Sequence, residues 1–197
     1  MKKLMLSFSL VALAAIGTQA QVMFGVKAGL NMATFTGSDA SSSNLPGKSM
    51  KAGANFGGLV HIPVTSNFSV QPEVYFSMEG CKVDGGTYDL SYINIPVLAM
   101  YRFGASHFSA GTGPQLGLLT SAKVKPTGGS STDIKDLLQS SDFAWAFLLN
   151  YLTSANVGFE ARYNAGLGTI DKGTPKDKFT NSVLQFNLFY LFGGKRK

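Results

Sequence analysis

The sequence predicts an all-β protein: a closed antiparallel up-and-down β-barrel of about eight strands that crosses a membrane. Three observations predict it. Stretch after stretch alternates apolar and polar side chains, the period of a strand. The polar parity carries charged and amide groups in mid-strand, as a polar but crowded lumen requires. The links between stretches alternate short and long, as the two ends of a membrane barrel do. Composition agrees, since 23 glycines and 12% aromatic residues favour short strands and tight turns. With 14% charged and 45% hydrophobic residues the chain is too apolar for disorder. Beyond the N-terminus no apolar run is long enough for a membrane-spanning helix.

The first element, residues 1–20, reads as a secretory signal peptide. Lys2 and Lys3 form its positive start, Leu4 to Ile16 its apolar core, and Gly17-Thr18-Gln19-Ala20 a small-residue cleavage site. Residues 21–197 then form a single barrel domain. No cysteine follows the cleavage site, which argues against a lipoprotein anchor. Cys81 is the sole cysteine, so the domain holds together without an internal disulfide or a Cys-based metal site. Once Lys2 and Lys3 are removed, 15 basic side chains face 11 acidic ones. That mild excess, in an exported chain, fits solvated loops and not nucleic acid.

Eight stretches follow in order. Val22 to Met32 sets Phe24, Val26, Ala28 and Leu30 against Lys27 and Asn31. Met50 to Ile62 sets Ala52, Ala54, Phe56 and Val60 against Lys51, Asn55 and His61. Phe68 to Glu79 sets Val70, Val74, Phe76 and Met78 against Gln71, Glu73 and Glu79. Thr87 to Phe103 changes phase: Tyr88, Leu90 and Tyr92 share one parity, then Ile93, Ile95, Val97 and Tyr101 take the other. A bulge near Tyr92 accounts for such a shift. His107 to Leu119 alternates leucines with glycine and Gln115; Ser141 to Tyr151 aligns Phe143, Trp145, Phe147 and Leu149. Asn156 to Leu167 opposes Phe159, Ala161 and Tyr163 to Glu160, Arg162 and Asn164, and Val183 to Phe192 ends the series.

The long links are Gly37 to Met50, Ser121 to Ser140 and Gly168 to Asn181; the links after the second, fourth and sixth stretches are short. An even strand count puts both termini on one side, and short turns make that side periplasmic. Thr132 to Leu138 reads as one helical turn within a loop, with Thr132 or Asp133 as its cap. Phe24, Tyr75, Tyr101, Tyr163, Tyr190 and Phe192 are candidates for aromatic girdles. Pro72, Pro96 and Pro114 fall inside strands, where a missing N–H demands irregular pairing.

Five blocks resemble the PorT-like family of outer-membrane β-barrel proteins: Phe24-Gly25-Val26-Lys27-Ala28-Gly29-Leu30-Asn31, Val70-Gln71-Pro72-Glu73, Tyr92-Ile93-Asn94-Ile95-Pro96-Val97-Leu98, Gly113-Pro114-Gln115-Leu116-Gly117 and Ala161-Arg162-Tyr163-Asn164-Ala165-Gly166-Leu167. The resemblance covers most of the mature chain. It implies an outer-membrane location, a fold that tolerates the three prolines, and a link to protein secretion, with no catalytic residues to carry over. The chain departs from outer-membrane barrels in continuing five residues past Phe192, through Lys195-Arg196-Lys197.

No enzyme is expected. His61 and His107 are the two histidines; serines lie near both, but no nucleophile elbow accompanies them. Asp133, Asp136 and Asp142 lack the spacing of a calcium loop, and no phosphate or dinucleotide loop occurs, so no metal or cofactor is assigned. The interior charges are expected to be Lys27, Lys51, Glu73, Glu79, Arg102, Glu160 and Arg162, paired into a plug within an eight-strand lumen. The function expected is structural or interactive. The barrel is embedded in outer-membrane lipid, and its outer loops meet other envelope or secretion proteins. Two alternatives stand beside it: a periplasmic lipocalin-like carrier, which needs Phe and Leu inward, and a lipid-modifying enzyme built on His61 or His107.

Overall fold

The computed structural model describes residues 22–37, 40, 45–172 and 179–193. The expected signal peptide, the serines 41–43, Lys176, Lys178 and the tail 194–197 lie outside the described residues. The strands are β1 (Met23–Thr36), β2 (Ser49–Pro63), β3 (Phe68–Val83), β4 (Gly86–Arg102), β5 (Phe108–Pro126), the two-residue β6 (Thr132–Asp133), β7 (Ser141–Leu152), β8 (Val157–Gly166) and β9 (Thr180–Phe192). Eight long strands pair antiparallel with their neighbours, and β1 pairs with β9, so the sheet closes into a barrel. Closure removes the free edges that an open sheet would expose to lipid. β6 lies outside this ring, paired to the far end of β5.

One end carries the short turns around Ser66, Ser106 and Ala155 together with Met23 and Phe192; this is the turn end. The other carries the links after β1, β3, β5 and β8; this is the loop end. The link after β3 is a two-residue hairpin tip, Asp84–Gly85, with Gly85 at φ +86°. β5 runs on to Pro126, so the expected loop from Ser121 is in part strand. The expected helical turn shrinks to a 3-10 turn, Lys135–Leu137, whose first N–H is accepted by Asp133 Oδ1 at 2.8 Å.

The barrel wall puts apolar side chains outside and polar ones inside. On β1, Leu30 is 68% exposed while Lys27 is 4% exposed and Asn31 is buried. The outward apolar run of β1, Phe24 to Met32, covers about 26 Å of strand at roughly 3.3 Å per residue. Tilted about 40°, that spans roughly 20 Å, close to the apolar band of outer-membrane barrels. Aromatic contacts ring the turn end: Tyr101–Phe103, Phe108–Tyr151 and Tyr190–Phe192 pack with centroids 5.7, 4.9 and 5.1 Å apart. Tyr75, expected in a girdle, is instead buried in the lumen, because it lies on the inward parity of Glu73 and Ser77.

The expected bulge sits in the neighbouring strand. Ser91 pairs with Ser121 and Tyr92 with Leu119, so Thr120 is the extra residue and β4 alternates without interruption. Tyr88, Leu90 and Tyr92 point inward like Asn94 and Leu98. What changes along β4 is the chemistry of its outward face, where Asp89 and Ser91 give way to Ile93, Ile95 and Val97.

Each in-strand proline removes rungs to the preceding strand while the register carries through. No rung joins Val60–His61 to Gln71–Pro72, Glu73–Val74 to Ile95–Pro96, or Val97–Leu98 to Gly113–Pro114. The remaining ladders hold the wall closed, and Trp145, paired with Pro114, satisfies its indole N–H on Thr112 Oγ1 at 2.7 Å.

Candidate functional site: a plugged lumen under an apolar cap

At mid-barrel, β1, β3 and β8 bring four charges together. Lys27 Nζ lies 2.9 Å from Glu73 Oε2 and 3.2 Å from Glu160 Oε1. Arg162 Nη2 donates to Glu73 Oε1 at 2.7 Å and to Glu160 Oε2 at 3.1 Å. Arg162 Nε is 3.0 Å from Glu160 Oε1, an ion-pair distance at which the N–H direction misses the oxygen. Two cations and two anions make the cluster self-neutral. That is the condition for burying charges where water cannot solvate them. The Tyr75 ring packs beneath both cations, with Lys27 Nζ 4.6 Å and Arg162 Cζ 5.7 Å from its centroid.

Neutral amides extend the plug. Gln71 donates to Glu73 at 2.9 Å and Asn187 to Glu160 at 2.8 Å. Asn55 donates to Asn31 at 2.7 Å and to Asn187 at 2.8 Å, and Asn31 reaches Ser77 at 2.9 Å. The Tyr75 hydroxyl donates to Gln115 Oε1 at 2.7 Å. Inward glycines make room: a Cβ on Gly29 would stand 2.0 Å from Asn187 Oδ1, and one on Gly158 would meet the Phe189 ring.

Apolar clusters lie towards both ends. Towards the turn end, Met23, Leu59, Leu152, Phe189 and Leu191 pack together. At the loop end, Phe35, Leu45, Cys81, Leu90, Tyr92, Leu119, Ala122 and Ile170 form a second buried cluster, with Leu138 and Phe179 against it. Loop backbones stitch this cap: Gln139 N–H donates to Ile170 O at 2.8 Å, Ile170 N–H to Phe179 O at 2.9 Å, and Asp84 N–H to Pro46 O at 2.8 Å. Outside the cap the strands turn polar, and Asp89 is held between Lys51 at 3.1 Å and Lys125 at 2.7 Å.

Of the seven charges expected inside, Lys27, Glu73, Glu160 and Arg162 therefore meet. Glu79 is buried in a separate layer towards the loop end, where Asn94 donates to it at 2.9 Å and Asn181 also donates. Lys51 pairs with Asp89 at the loop end. Arg102 is at the turn end, donating to the Ser66 carbonyl. Asp142, grouped from sequence with Asp133 and Asp136, is a buried inward residue of β7. Its place behind the outward Phe143 and Trp145 was the available signal. His61 Nδ1 lies 3.2 Å from Gln71 Oε1, and His107 Nδ1 2.7 Å from the Leu152 carbonyl. Nearby Ser66 and Ser106 make turn hydrogen bonds. The carrier alternative needed Phe and Leu inward at mid-barrel; Leu98 and Leu148 do point inward, but beside the ion cluster, while Phe56, Phe147, Leu149 and Phe186 point outward.

The model of the outer membrane protein β-barrel domain matches residues 18–172. The chain belongs to that family. It is an outer-membrane β-barrel protein, and the apolar belt described above is its lipid face. No curated protein matches the chain in sequence. Among solved structures, Neisserial surface protein A is 19% identical over 85% of this chain and 96% of its own, with a TM-score of 0.51. Ail, the attachment invasion locus protein of Yersinia pestis, is 14% identical over 87% of this chain and 99% of its own, with a TM-score of 0.52. At those identities the likeness is one of fold.

Proposed function

We propose that this protein is a sealed outer-membrane anchor that presents its loop end outside the cell as a firm interaction surface for other proteins, and that it is neither a pore nor an enzyme. The observation that carries the reading is the way the lumen is filled. A self-neutral ion cluster blocks mid-barrel, and an apolar core braces β3, β4, β5 and the loops above it. A pore needs a wet passage, whereas a platform needs a braced scaffold. The short turns and both described chain ends share one side, which in this reading is periplasmic. Neisserial surface protein A and the attachment invasion locus protein are named for the cell surface and for attachment, which supports the same reading. The PorT-like resemblance adds a finer version, in which the partner is an envelope protein engaged in secretion.

Two measurements test it together. A membrane-impermeant amine reagent applied to whole cells should label Lys123 and Lys125 at the loop end, and purified barrel in planar bilayers should give no large steady conductance. Labelling that requires broken cells would reverse the orientation. A stable open channel would overturn the sealed reading.

A further inference from the structure

Every described lysine except Lys27 stands at the loop end, and most of them share one side of the barrel. Strand register sets them in two rows on the outward wall. In the row nearer the membrane, Asp89 on β4 pairs with Gly80 on β3 and Lys123 on β5. Lys51 reaches this row from β2, with its Nζ 3.1 Å from Asp89 Oδ1 and donating to the Glu79 carbonyl at 3.0 Å. In the outer row, Thr87 pairs with Lys82 on β3 and Lys125 on β5. Closer to the membrane than either row, Lys135 Nζ donates to the Thr120 carbonyl at 3.1 Å. These five lysines meet two acids, Asp89 and Asp133. Asp89 is shared by Lys51 and by Lys125, the latter at 2.7 Å, and Asp133 stands opposite Lys123 in the β5–β6 ladder. Asp84, at the hairpin tip, lies further out than Lys82. Lys82 and Lys123 are exposed and make no ion pair among the described residues.

Their depth is set by the apolar belt. Met78, Ile93 and Leu118 are its last outward residues on β3, β4 and β5. Lys82 lies four residues past Met78, and Lys123 and Lys125 lie just past the Thr120 bulge. At roughly 3.3 Å per residue and a tilt of about 40°, these lysines leave the wall about 10 to 15 Å above the belt. Their stems can lie down along the wall and hold the ammonium groups in the headgroup layer. Lys82 and Lys125, two strands apart, have Cα atoms about 10 Å from each other, and Lys123 and Lys125 about 7 Å. Two ammonium groups can close on one phosphate across such gaps. The rest of the rim differs. Past Met32 and Leu184, β1 and β9 carry Thr34, Thr36, Thr180 and Ser182, and Thr36 bonds both Thr180 and Ser182 at 2.8 Å. At the turn end, Arg102 is the one Lys or Arg among the described residues, and the Ser66 carbonyl takes it.

We propose that the β2–β5 face above the belt is a docking surface for a phosphorylated glycolipid of the outer leaflet, with its acyl chains on Met78, Ile93 and Leu118 and its phosphates on Lys82, Lys123 and Lys125. The choice of leaflet rests on the reading above that the loop end is outside the cell. A lipid fits better than a soluble anion because the lysines project sideways from the wall, in line with the belt beneath them. Amines in two rows suit a headgroup with more than one phosphate. The excess positive charge supplies the attraction, each lysine near an anionic surface adding about five-fold in affinity. Such contacts are screened by salt and exchange freely, so Lys123 and Lys125 still react with amine reagents, at a reduced rate.

The test titrates the mature chain, refolded in zwitterionic detergent micelles, with diphosphoryl lipid A and counts bound lipid by native mass spectrometry. Acetylation of each lysine, mapped by peptide mass, locates the contact. The expected result is saturable binding that protects Lys82, Lys123 and Lys125 several-fold more than Lys172 of the last link. Lys82→Gln and Lys123→Gln should each weaken binding about five-fold, and Lys123→Gln with Lys125→Gln about 25-fold. Arg102→Gln, which removes the same charge at the turn end, should bind as wild type does. The heat-modifiable gel shift checks that each variant is folded. A folded wild type that binds no lipid A, or binding that survives the double substitution, overturns the proposal. So does equal binding of dephosphorylated lipid A, which would mean apolar contact alone. Inorganic tripolyphosphate binding as tightly as lipid A would overturn it in favour of a soluble anion. Micelles have no sidedness, so failure here leaves the whole-cell labelling result standing. Reversed labelling there would overturn only the choice of leaflet.

Discussion

Two halves of β4 differ in what their outward faces carry. From Ile93 to Tyr101 the apolar residues Ile93, Ile95, Val97 and Tyr101 point out, and Asn94, Pro96, Leu98 and Met100 point in. From Asp89 to Tyr92, Leu90 and Tyr92 point in, and Asp89 meets Lys51 and Lys125 in ion pairs outside the apolar cluster. The backbone alternation is continuous; the surroundings change. Below Tyr92 the wall faces hydrocarbon, and the lumen holds the ion cluster and its amides together with inward apolar residues such as Leu98 and Leu148. Above it the wall faces water, and the interior is an ordinary hydrophobic core. The level of Tyr92 and Ile93 therefore marks the membrane boundary, and a shift of apolar parity in a long strand can record a change of solvent as well as a bulge.

The comparison can be broken at four places. The largest effect belongs to the polar half. Arg162→Met leaves Glu73 and Glu160 with Lys27 alone, and removing one partner of a buried ion pair costs about 3–5 kcal/mol. Urea unfolding followed by Trp145, the chain's one tryptophan, reads it; a loss below about 1 kcal/mol would mean a wet, forgiving lumen. Next comes the apolar half, where Leu90→Ala should cost about 2–5 kcal/mol. That loss should appear as faster proteolysis of the loops while the heat-modifiable barrel persists. If the barrel loses stability to the same extent, the two halves are one cooperative unit.

The third test probes the outward faces directly. Leu30→Arg, on the lipid face, should cost about 2–4 kcal/mol, whereas Ser91→Arg, above the boundary, should stay within about 0.5 kcal/mol. Equal costs in refolding assays in lipid vesicles would displace the boundary drawn here. The smallest effect is Pro114→Ala, which restores an N–H beside Val97 but loosens the unfolded chain. The two nearly cancel, within about 1 kcal/mol. Hydrogen exchange should then show new protection at position 114, and its absence would mean that the gap is set by the wall and not by the missing donor.

Much of this was legible in the sequence, and the exceptions are instructive. Lys27, Glu73, Glu160 and Arg162 were assigned inward on parity alone. Parity also grouped them with Lys51 and Arg102, which the fold places at opposite ends, because period two fixes the face of a residue and says nothing of its depth. Its aromatic type makes Tyr75 a girdle candidate, although its own parity puts it beside Glu73 in the lumen. The parity shift points to a bulge near Tyr92, and the ladder is irregular there, but that Thr120 is the residue that bulges is known only once β4 and β5 are paired. Asp142 was grouped with Asp133 and Asp136 by proximity in sequence, while β7 carries it into the lumen.

The sequence by itself determined the strand alternation, the polar and apolar faces, the asymmetry of the links and the prolines that interrupt the ladders. These are local consequences of period two and of missing donors, readable within a few residues. The tertiary structure decided which charges meet, where the membrane ends, and that Lys51 and Arg102 stand at opposite ends of the barrel. Those depend on register between distant strands, above all the pairing of β1 with β9 that closes the ring. Closure sets depth, and depth decides whether a side chain meets water, hydrocarbon or another charge.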